Sequence, residues 1–223
     1  MPNHSHVLFE PRKSPVQARS TASVEAILHA TVQVLLRVGK EQLTTTRVAF
    51  RAGVSVGTLY QYFPNKKALL QAALKRHLEG VTETIERECR ERRGNSLKQM
   101  GTALVTSYLR AKMRDVKTSA ALYSVSSDVD GAKIVQHIGV RINRAIVEMI
   151  ASAREPLAKD PELVALMLQG AMVGVMRSLL ESHAPEQEFI ALQQELIFFV
   201  CTYLDACSTR QTRPTTDGRL LPG

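Results

Sequence analysis

The segment 44–63, TTTRVAFRAGVSVGTLYQYF, limits the choice of fold more than any other part of the chain. Its small and apolar residues have the spacing that two short helices joined by a tight turn require. Ala49 is small enough to lie where the two helices cross, and Gly53 tolerates the positive φ of the turn. Ser55 can open the second helix as its N-cap. The apolar residues that fix the crossing angle are Val48, Val54 and Leu59. This spacing predicts a helix-turn-helix.

The outer face of the predicted second helix carries almost no charge. Its residues are Ser55, Val56, Gly57, Thr58, Tyr60 and Gln61. Base edges in the major groove are read by short polar groups, amides and methyl contacts, whereas hydroxyls and cations meet phosphates. Asn65 is placed to cap the next helix, which puts Lys66 and Lys67 at that helix's positive end, where they suit a phosphate. The pattern therefore favours DNA as the ligand of this face.

The excess positive charge of the chain is confined to its first third. Residues 1–76 hold 11 Lys and Arg against 3 Asp and Glu, whereas the remainder is balanced at 18 against 18. A basic segment joined to a neutral body indicates a module for polyanions, with nucleic acid the first candidate and an anionic membrane surface the second. A merely solvated basic face is the alternative.

The segment LTTTRVAFRAGVSVGTLYQYFPNKKALL resembles the DNA-binding signature of the tetracycline-repressor family of bacterial regulators. The resemblance covers about residues 20–75, and its motifs, A-x-x-A-G-V-S-x-G-T-L-Y-x-Y-F followed by N-K-x-x-L-L, are highly specific. Phe50 departs from the family pattern, since a polar residue is more usual there.

The resemblance implies a role for each matching residue. Thr45 and Thr46 would open the supporting helix and touch backbone phosphate. The residues expected to face bases are Val56, Gly57, Thr58 and Gln61. Those expected to hold phosphates are Tyr60, Tyr62 and Lys66, with burial in the core as the alternative for Tyr62. The partner would be double-stranded DNA carrying a palindromic operator.

Apolar residues recur every three or four positions along nearly all of the remaining chain, which predicts an all-α protein. We expect a flexible basic arm over 1–19, an N-terminal three-helix helix-turn-helix domain over 20–76, and a loose tail over 208–223. The first helix should stop at Gly39. The resemblance implies that 77–207 form a helical effector-binding and dimerisation domain.

The last two predicted helices, between residues 162 and 206, are apolar on two faces, so each needs cover on two sides. One side can face the chain itself, and the other indicates a second copy in a homodimer. A central position in a monomeric bundle is the alternative. The residues expected at the dimer interface are Met167, Gly170, Ala171, Gly174, Leu196, Phe199 and Tyr203.

Adaptable apolar side chains in the helical body suggest a pocket for a small-molecule effector. The candidate lining residues are Met100, Tyr108, Met113 and Tyr123, with His137 and Arg141 as polar handles. Plain core packing, or a solvated face for the two polar residues, explains them equally. An effector that prefers a form with wrongly spaced recognition helices would relieve repression. An activator or a ligand-independent regulator is the alternative function.

Other classes of function have little support in the sequence. Gly53–Gly57 spells G-x-S-x-G, the nucleophile elbow of α/β-hydrolases, but that motif requires a preceding β-strand, whereas RVAFRA has helical period. The six histidines lack close metal-ligand spacing apart from the pair His4 and His6. We therefore expect no enzyme, no metal and no cofactor; a helical interaction protein or hydrolase is the third interpretation.

Three cysteines do not suit a disulfide framework, and no signal-like segment or uninterrupted apolar run of about 18 residues is present. These features predict a cytoplasmic protein without a membrane partner.

Overall fold

The computed structural model describes residues 15–182 and 186–209 and is built from α-helices in these ranges. The helices are α1 Pro15–Gln42, α2 Thr45–Ala52, α3 Val56–Tyr62, α4 Lys66–Glu91, α5 Leu97–Met113, α6 Val116–Val125, α7 Gly131–Ile150, α8 Pro161–Ser182 and α9 Glu186–Cys207. A 3₁₀ turn, Ser126–Val129, joins α6 to α7. Within the described ranges, extended backbone pairs only in a single antiparallel bridge between Leu157 and Ser208. The predicted all-α class is confirmed.

Short polar side chains set the helix starts around the predicted helix-turn-helix. Thr44 is the N-cap of α2 and accepts a hydrogen bond from the Arg47 amide at 3.2 Å. Asn65 accepts one from the Ala68 amide at 2.8 Å in the first turn of α4, as its sequence position predicted. Each cap satisfies an amide that has no partner inside its helix.

Helix α1 differs from its prediction at its start and agrees at Gly39. It begins at Pro15, inside the segment that we expected to be a flexible arm, and Pro is favoured in the first helical turn because its missing N–H needs no partner there. Gly39 has φ 74° and ψ 172°, so the helical path is broken at this residue before it resumes to Gln42. The rest of the predicted arm, including His4 and His6, and residues 210–223 of the predicted tail lie outside the described residues.

The chain divides into two compact units that are interleaved in sequence. The first contains the described residues up to Glu79 together with 115–135, and the second contains 80–114 and 136–209. Our division at residue 76 remains a prediction about function, but the segment 115–135, which we placed in the second domain, clusters with the first unit. Helices α4 and α7 each contribute to both units.

One hydrophobic core explains why residues 115–135 belong to the first unit. Leu122, Val125 and Val129 are each at most 1% exposed and pack with the helix-turn-helix core. That core includes Ile27, Leu35, Leu43, Val48, Leu59, Leu69 and Leu70. Burying three such side chains is worth roughly 1.5–3 kcal/mol each. Hydrophobic burial therefore anchors the α6 segment beside the first four helices.

In the second unit, α9 packs along α5 and α8. Gly101 permits a close approach of α5 to α9, because a Cβ built there would lie 2.9 Å from Leu204 Cδ1 and 3.0 Å from Val200 Cγ1. At the last residue of α9, the Ala158 amide donates to the Cys207 carbonyl at 2.8 Å. These contacts account for the buried side of α9.

Candidate nucleic-acid interface

The turn between α2 and α3 has the geometry that its sequence predicted. Gly53 adopts the left-handed conformation, with φ 69° and ψ 27°, and its amide donates to the Phe50 carbonyl at 3.2 Å. The Val54 amide donates to the Ala49 carbonyl at 3.0 Å. The residues of this motif that are at most 1% exposed are Val48, Ala49 and Leu59. Local hydrogen bonds and a small buried patch therefore fix the crossing of the two helices.

The opposite side of α3 is open to solvent. Val56 is 37% exposed and Tyr60 is 49% exposed, and Gly57 and Gln61 are exposed as well. These four residues are called the recognition face below. A Cβ built on Gly57 would meet only the Ser55 hydroxyl, at 3.7 Å, so the position is not closed by packing. The face combines an amide, a phenol and a methyl-bearing side chain, which are groups that suit base edges and phosphates.

Two pairs of hydroxyl groups border the recognition face. Thr45 Oγ1 and the Tyr60 hydroxyl are 3.0 Å apart, which ties the first turn of α2 to α3. Ser55 is the N-cap of α3: its hydroxyl accepts from the Thr58 amide at 2.9 Å and lies 2.8 Å from Thr58 Oγ1. The structure thus brings these four predicted residues together in two pairs. Thr46 is exposed on the first turn of α2.

The two lysines at the start of α4 have protein partners. Lys66 Nζ donates to the Lys40 carbonyl at 2.5 Å and is half-buried, so its ammonium caps the end of α1. Lys67 forms an ion pair with Asp130 at 2.7 Å. The hydrogen bond from Lys67 holds the pKa of Asp130 below its usual value. The role of Lys66 at phosphate remains a prediction, and a DNA contact would have to compete with its bond to Lys40.

Two aspartates pair with lysines of the first unit, and sequence reasoning missed both. Asp128 is in the 3₁₀ turn, and Asp130 is the residue that follows the turn. Asp128 pairs with Lys40 at 2.5 Å, and its hydrogen bond raises the pKa of that lysine. Gln71 Nε2 donates to the Val129 carbonyl at 2.8 Å beside these pairs. The only signal for these ion pairs in the sequence is the motif Asp128-Val129-Asp130-Gly131, in which two aspartates flank a valine.

Two further aromatic residues of the motif, Tyr62 and Phe50, differ in exposure. Tyr62 is partly buried against the core, with its ring centroid 6.5 Å from that of Phe63, so core packing accounts for much of this residue. Phe50 is 89% exposed on α2. Nothing in the structure explains Phe50.

The G-x-S-x-G sequence lies in a different setting from a nucleophile elbow. The residues before it form helix α2, and Ser55 is the cap of α3 rather than the tip of a strand-to-helix turn. Its hydroxyl is within hydrogen-bond distance of the Thr58 amide and hydroxyl. The local geometry is that of a helix start, and it supplies no base for a nucleophile.

The residues expected to contact an effector occupy different environments. Met100 and Tyr108 are buried in the second unit, where burial raises the pKa of the Tyr108 phenol. Tyr123 is 37% exposed and belongs to the first unit. His137 is exposed on α7 and Met113 is half-buried at the end of α5, while Arg141 is ion-paired with Glu86 at 2.9 Å. Their role as effector ligands remains a prediction.

Most residues expected at the dimer interface lie uncovered on α8 and α9. Met167 is 50% exposed and Phe199 is 52% exposed, Gly170 and Gly174 are exposed, and Ala171 and Tyr203 are half-buried. Leu196 differs because it is only 4% exposed and is covered within its own chain. Two residues further along α9, Phe198 is 68% exposed.

Comparisons with known proteins agree with this architecture. A model described as bacterial regulatory proteins, tetR family, matches residues 27–73, and a tetracyclin repressor-like C-terminal domain model matches residues 96–204. The HTH-type transcriptional repressor KstR of Mycolicibacterium smegmatis is 35% identical over 115 residues, which is 51% of this chain and 55% of that protein. The chain therefore spans about half the length of the curated relatives it matches.

Solved structures resemble a larger share of the chain. A TetR-family transcriptional regulator from Mesorhizobium loti has a TM-score of 0.70 at 16% identity, covering 84% of this chain and 98% of that one. The fatty acid degradation regulator FadR from Bacillus halodurans has a TM-score of 0.62 at 19% identity, covering 87% and 96%. At these identities the likeness establishes the fold.

Proposed function

The chain belongs to the tetracycline-repressor family of bacterial regulatory proteins, and on that premise we propose that it is a homodimeric, sequence-specific DNA-binding repressor that a small-molecule effector releases from a palindromic operator. The observation that carries the proposal is the contrast between the two sides of α3. Leu59 is fully buried, whereas Tyr60 and Gln61 beside it are exposed. A helix held this firmly and left open on an uncharged polar side suits insertion into a major groove.

The basic charge of the N-terminal third supports DNA as the partner. Arg51 and Lys75 are exposed cations of the first unit, and they add to the long-range attraction for phosphate. The recognition face itself has no charged residue, so affinity and sequence preference would come from different groups. Sequence preference would rest on Val56 and Gln61, with Gly57 allowing close approach to the bases.

The uncovered apolar surface of α8 and α9 supports a homodimer. Leu163, Leu166 and Met167 on α8 are each at least 50% exposed, as are Ile190 and Phe198 on α9. Both helices are long and apolar enough, by length and composition, to cross a membrane. Their packing against each other and on α5 instead fits a helical body whose remaining apolar face is buried by a second copy.

A two-fold symmetric dimer would present two recognition helices to successive major grooves, roughly 34–36 Å apart when bound to DNA. The operator would then be a palindrome with one half-site for each subunit. An effector acts in this scheme by binding more tightly to a dimer whose recognition helices do not match that spacing. The FadR of Bacillus halodurans is described as a regulator of fatty acid degradation, so fatty acids and their derivatives belong in the first effector screen.

The proposal is tested by selecting bound duplexes from a random DNA pool at about 0.15 M salt. The winning duplex is then titrated by fluorescence anisotropy against a scrambled duplex of the same length and composition. We expect a palindrome bound at least about 1,000-fold more tightly than the scrambled control. Weak, salt-sensitive binding without an enriched sequence would contradict the assignment of the recognition face.

The homodimer and the effector have separate tests. Analytical ultracentrifugation without detergent should show a dimer, whereas a monomer, or a protein that stays dispersed only in detergent, would contradict the assignment of the α8 and α9 surface. Adding effector candidates to the operator complex should lower the anisotropy for at least one compound. If none acts in a broad screen, release by a small molecule would give way to control by abundance or by a protein partner.

A further inference from the structure

Helices α4 and α7 border a small polar cleft in the second compact unit. Its volume is about 90 Å³. The charged residues that line it are Glu86, Arg90, Arg93, Arg141, Arg144 and Glu148. The arginines form two pairs with a spacing of three residues. Arg90 is in the last turn of α4 and Arg93 is in the turn that follows it, whereas Arg141 and Arg144 are both on α7. All four residues line the same cleft. The other lining residues, Cys89 and Ala145, have short side chains that leave this space open.

The ion pairs of the cleft leave positive charge uncompensated. Arg141 holds Glu86 through two hydrogen bonds, of 3.1 and 2.9 Å, and Arg93 forms an ion pair with Glu148. Arg144 Nε is 3.8 Å from the same Glu148, which is too long for a hydrogen bond. Among the described residues, no carboxylate pairs with Arg90. Four guanidinium groups therefore face two carboxylates, and the donors of Arg90 and Arg144 are available.

No other group in the cleft supplies the missing negative charge. Cys89 is 2% exposed, and burial raises the pKa of its thiol to about 12, so the thiol is neutral at physiological pH. If the arginines and glutamates only stabilised the surface of the two helices, we would expect equal numbers of positive and negative charges. Here the excess of two positive charges lies around a cavity.

We propose that this cleft binds a phosphate group, free or as part of a phosphate monoester, between Arg90 and Arg144. A cleft of about 90 Å³ has room for several water molecules, since about 10–15 Å³ of such space holds one, and it therefore has room for a tetrahedral oxyanion. The planar guanidinium binds phosphate oxygens with two parallel hydrogen bonds, and a dianion balances the excess charge. The site lies in the second unit and depends on neither the recognition face nor the operator.

Isothermal titration calorimetry of the 223-residue chain with inorganic phosphate tests the site, with potassium chloride used to hold ionic strength constant. We expect a dissociation constant of about 0.1–1 mM. Glycerol 3-phosphate distinguishes the two sources of the group: equal affinity indicates that the phosphate alone is recognised, and tighter binding of the ester indicates a phosphorylated metabolite. If neither compound binds in preference to chloride, the proposal is wrong.

Arg144→Gln and Arg90→Gln should each weaken phosphate binding about tenfold, because each removes a charge-assisted contact. Arg87→Gln is the matched control, since Arg87 is exposed on α4, pairs only loosely with Glu91 at 4.0 Å and does not line the cleft. This control should change the affinity less than twofold. Arg90 also lies in the last turn of α4, so the Arg144 variant decides the matter if the Arg90 variant loses stability. Equal losses in all three variants would show general attraction to a basic surface and overturn the site.

Discussion

At the residue scale, Gly53 sets the geometry of the helix-turn-helix through its left-handed backbone. We expect Gly53→Ala to lower the free energy of unfolding by roughly 1–2 kcal/mol, because a side chain is strained at φ 69°. A Cβ there would meet nothing within 4 Å, so strain alone is responsible. Urea unfolding at one fixed protein concentration measures the change, since dimerisation would make stability concentration-dependent.

Gly80 provides the matched control for this substitution. It lies inside α4, where a Cβ again meets nothing within 4 Å and φ is not positive. Gly80→Ala should therefore raise the free energy of unfolding by about 0.5–1 kcal/mol. Stabilisation by both substitutions would show that the turn tolerates a side chain and that its conformation does not require glycine.

Gln61 and Tyr60 are neighbours on the recognition face, and we expect them to contribute to DNA binding differently. Gln61→Ala should relax the preference at one operator base pair by about 1–3 kcal/mol, because an amide can discriminate bases. Tyr60→Phe removes a hydroxyl expected at phosphate, so it should weaken binding on all duplexes by a similar factor. Anisotropy titrations against operators with single base-pair changes separate the two patterns. A uniform loss from Gln61→Ala would exclude Gln61 as a base-reading residue.

At this scale, the sequence predicted turn and helix-cap residues better than it predicted the partners of long side chains. Gly53, Ser55 and Asn65 each act within three residues of their own position, so their roles follow from local spacing. Lys66 and Lys67 looked free for phosphate, but their partners are 26 and 63 residues away in sequence. Such long-range pairs depend on the packing of other helices and leave no local pattern.

At the element scale, the N-cap residues of α3 and α5 can be compared to distinguish an effect on stability from an effect on DNA binding. The Ser55 hydroxyl accepts from the Thr58 amide at 2.9 Å, and the Ser96 hydroxyl accepts from the Gln99 amide at 3.3 Å. Replacing either serine with alanine should cost about 0.5–2 kcal/mol of stability. Only Ser55→Ala should also weaken operator binding, because α3 carries the recognition face.

Chemical unfolding and operator titration of the same two variants check this expectation. Ser96→Ala is the control for a lost cap without a change at the recognition face. If both variants lost stability and kept full operator affinity, the start of α3 would not need to be held in place for DNA recognition.

The positions of the helices could be predicted from the sequence because apolar periodicity is a local signal. This signal does not define where a helix begins or ends, or which core the helix packs into. The sequence predicts a short helix near residues 117–126, and α6 is found at Val116–Val125. Helix α1 begins at Pro15, because proline is compatible with a first turn even in a segment whose composition suggests a loose arm. The burial of Leu122 and Val125 in the first unit could not be predicted, since the same stripe would suit either core.

At the scale of the whole molecule, each of the two compact units is made of two separate segments of the chain, so no single point in the sequence divides them. Residues 115–135 complete the core of the first unit, although the chain on both sides of them belongs to the second. A fragment that ended near residue 79 would lack Leu122, Val125 and Val129 and would expose the apolar surface they cover. The full chain is therefore the proper material for DNA-binding measurements.

The exposed apolar face of α8 makes Gly174 the sharpest test of the homodimer. A Cβ on Gly174 meets nothing within 4 Å in one chain, so Gly174→Leu should not disturb the fold of a subunit. At a close contact between two copies, the added side chain should weaken dimerisation about tenfold or more, because overpacking typically costs about 1–3 kcal/mol. Sedimentation equilibrium measures the dimer dissociation constant.

Gly80→Leu is the control, because it makes the same change at an exposed helical glycine outside the proposed interface. It should leave the dissociation constant unchanged, while both variants keep the helical circular-dichroism spectrum of the parent. Loss of the dimer in Gly174→Leu alone would locate the two-fold contact on α8, and the recognition helices would then act as a pair. An unchanged constant in both variants would remove Gly174 from the interface and leave the exposed residues of α9, above all Phe198 and Phe199, as the remaining candidates.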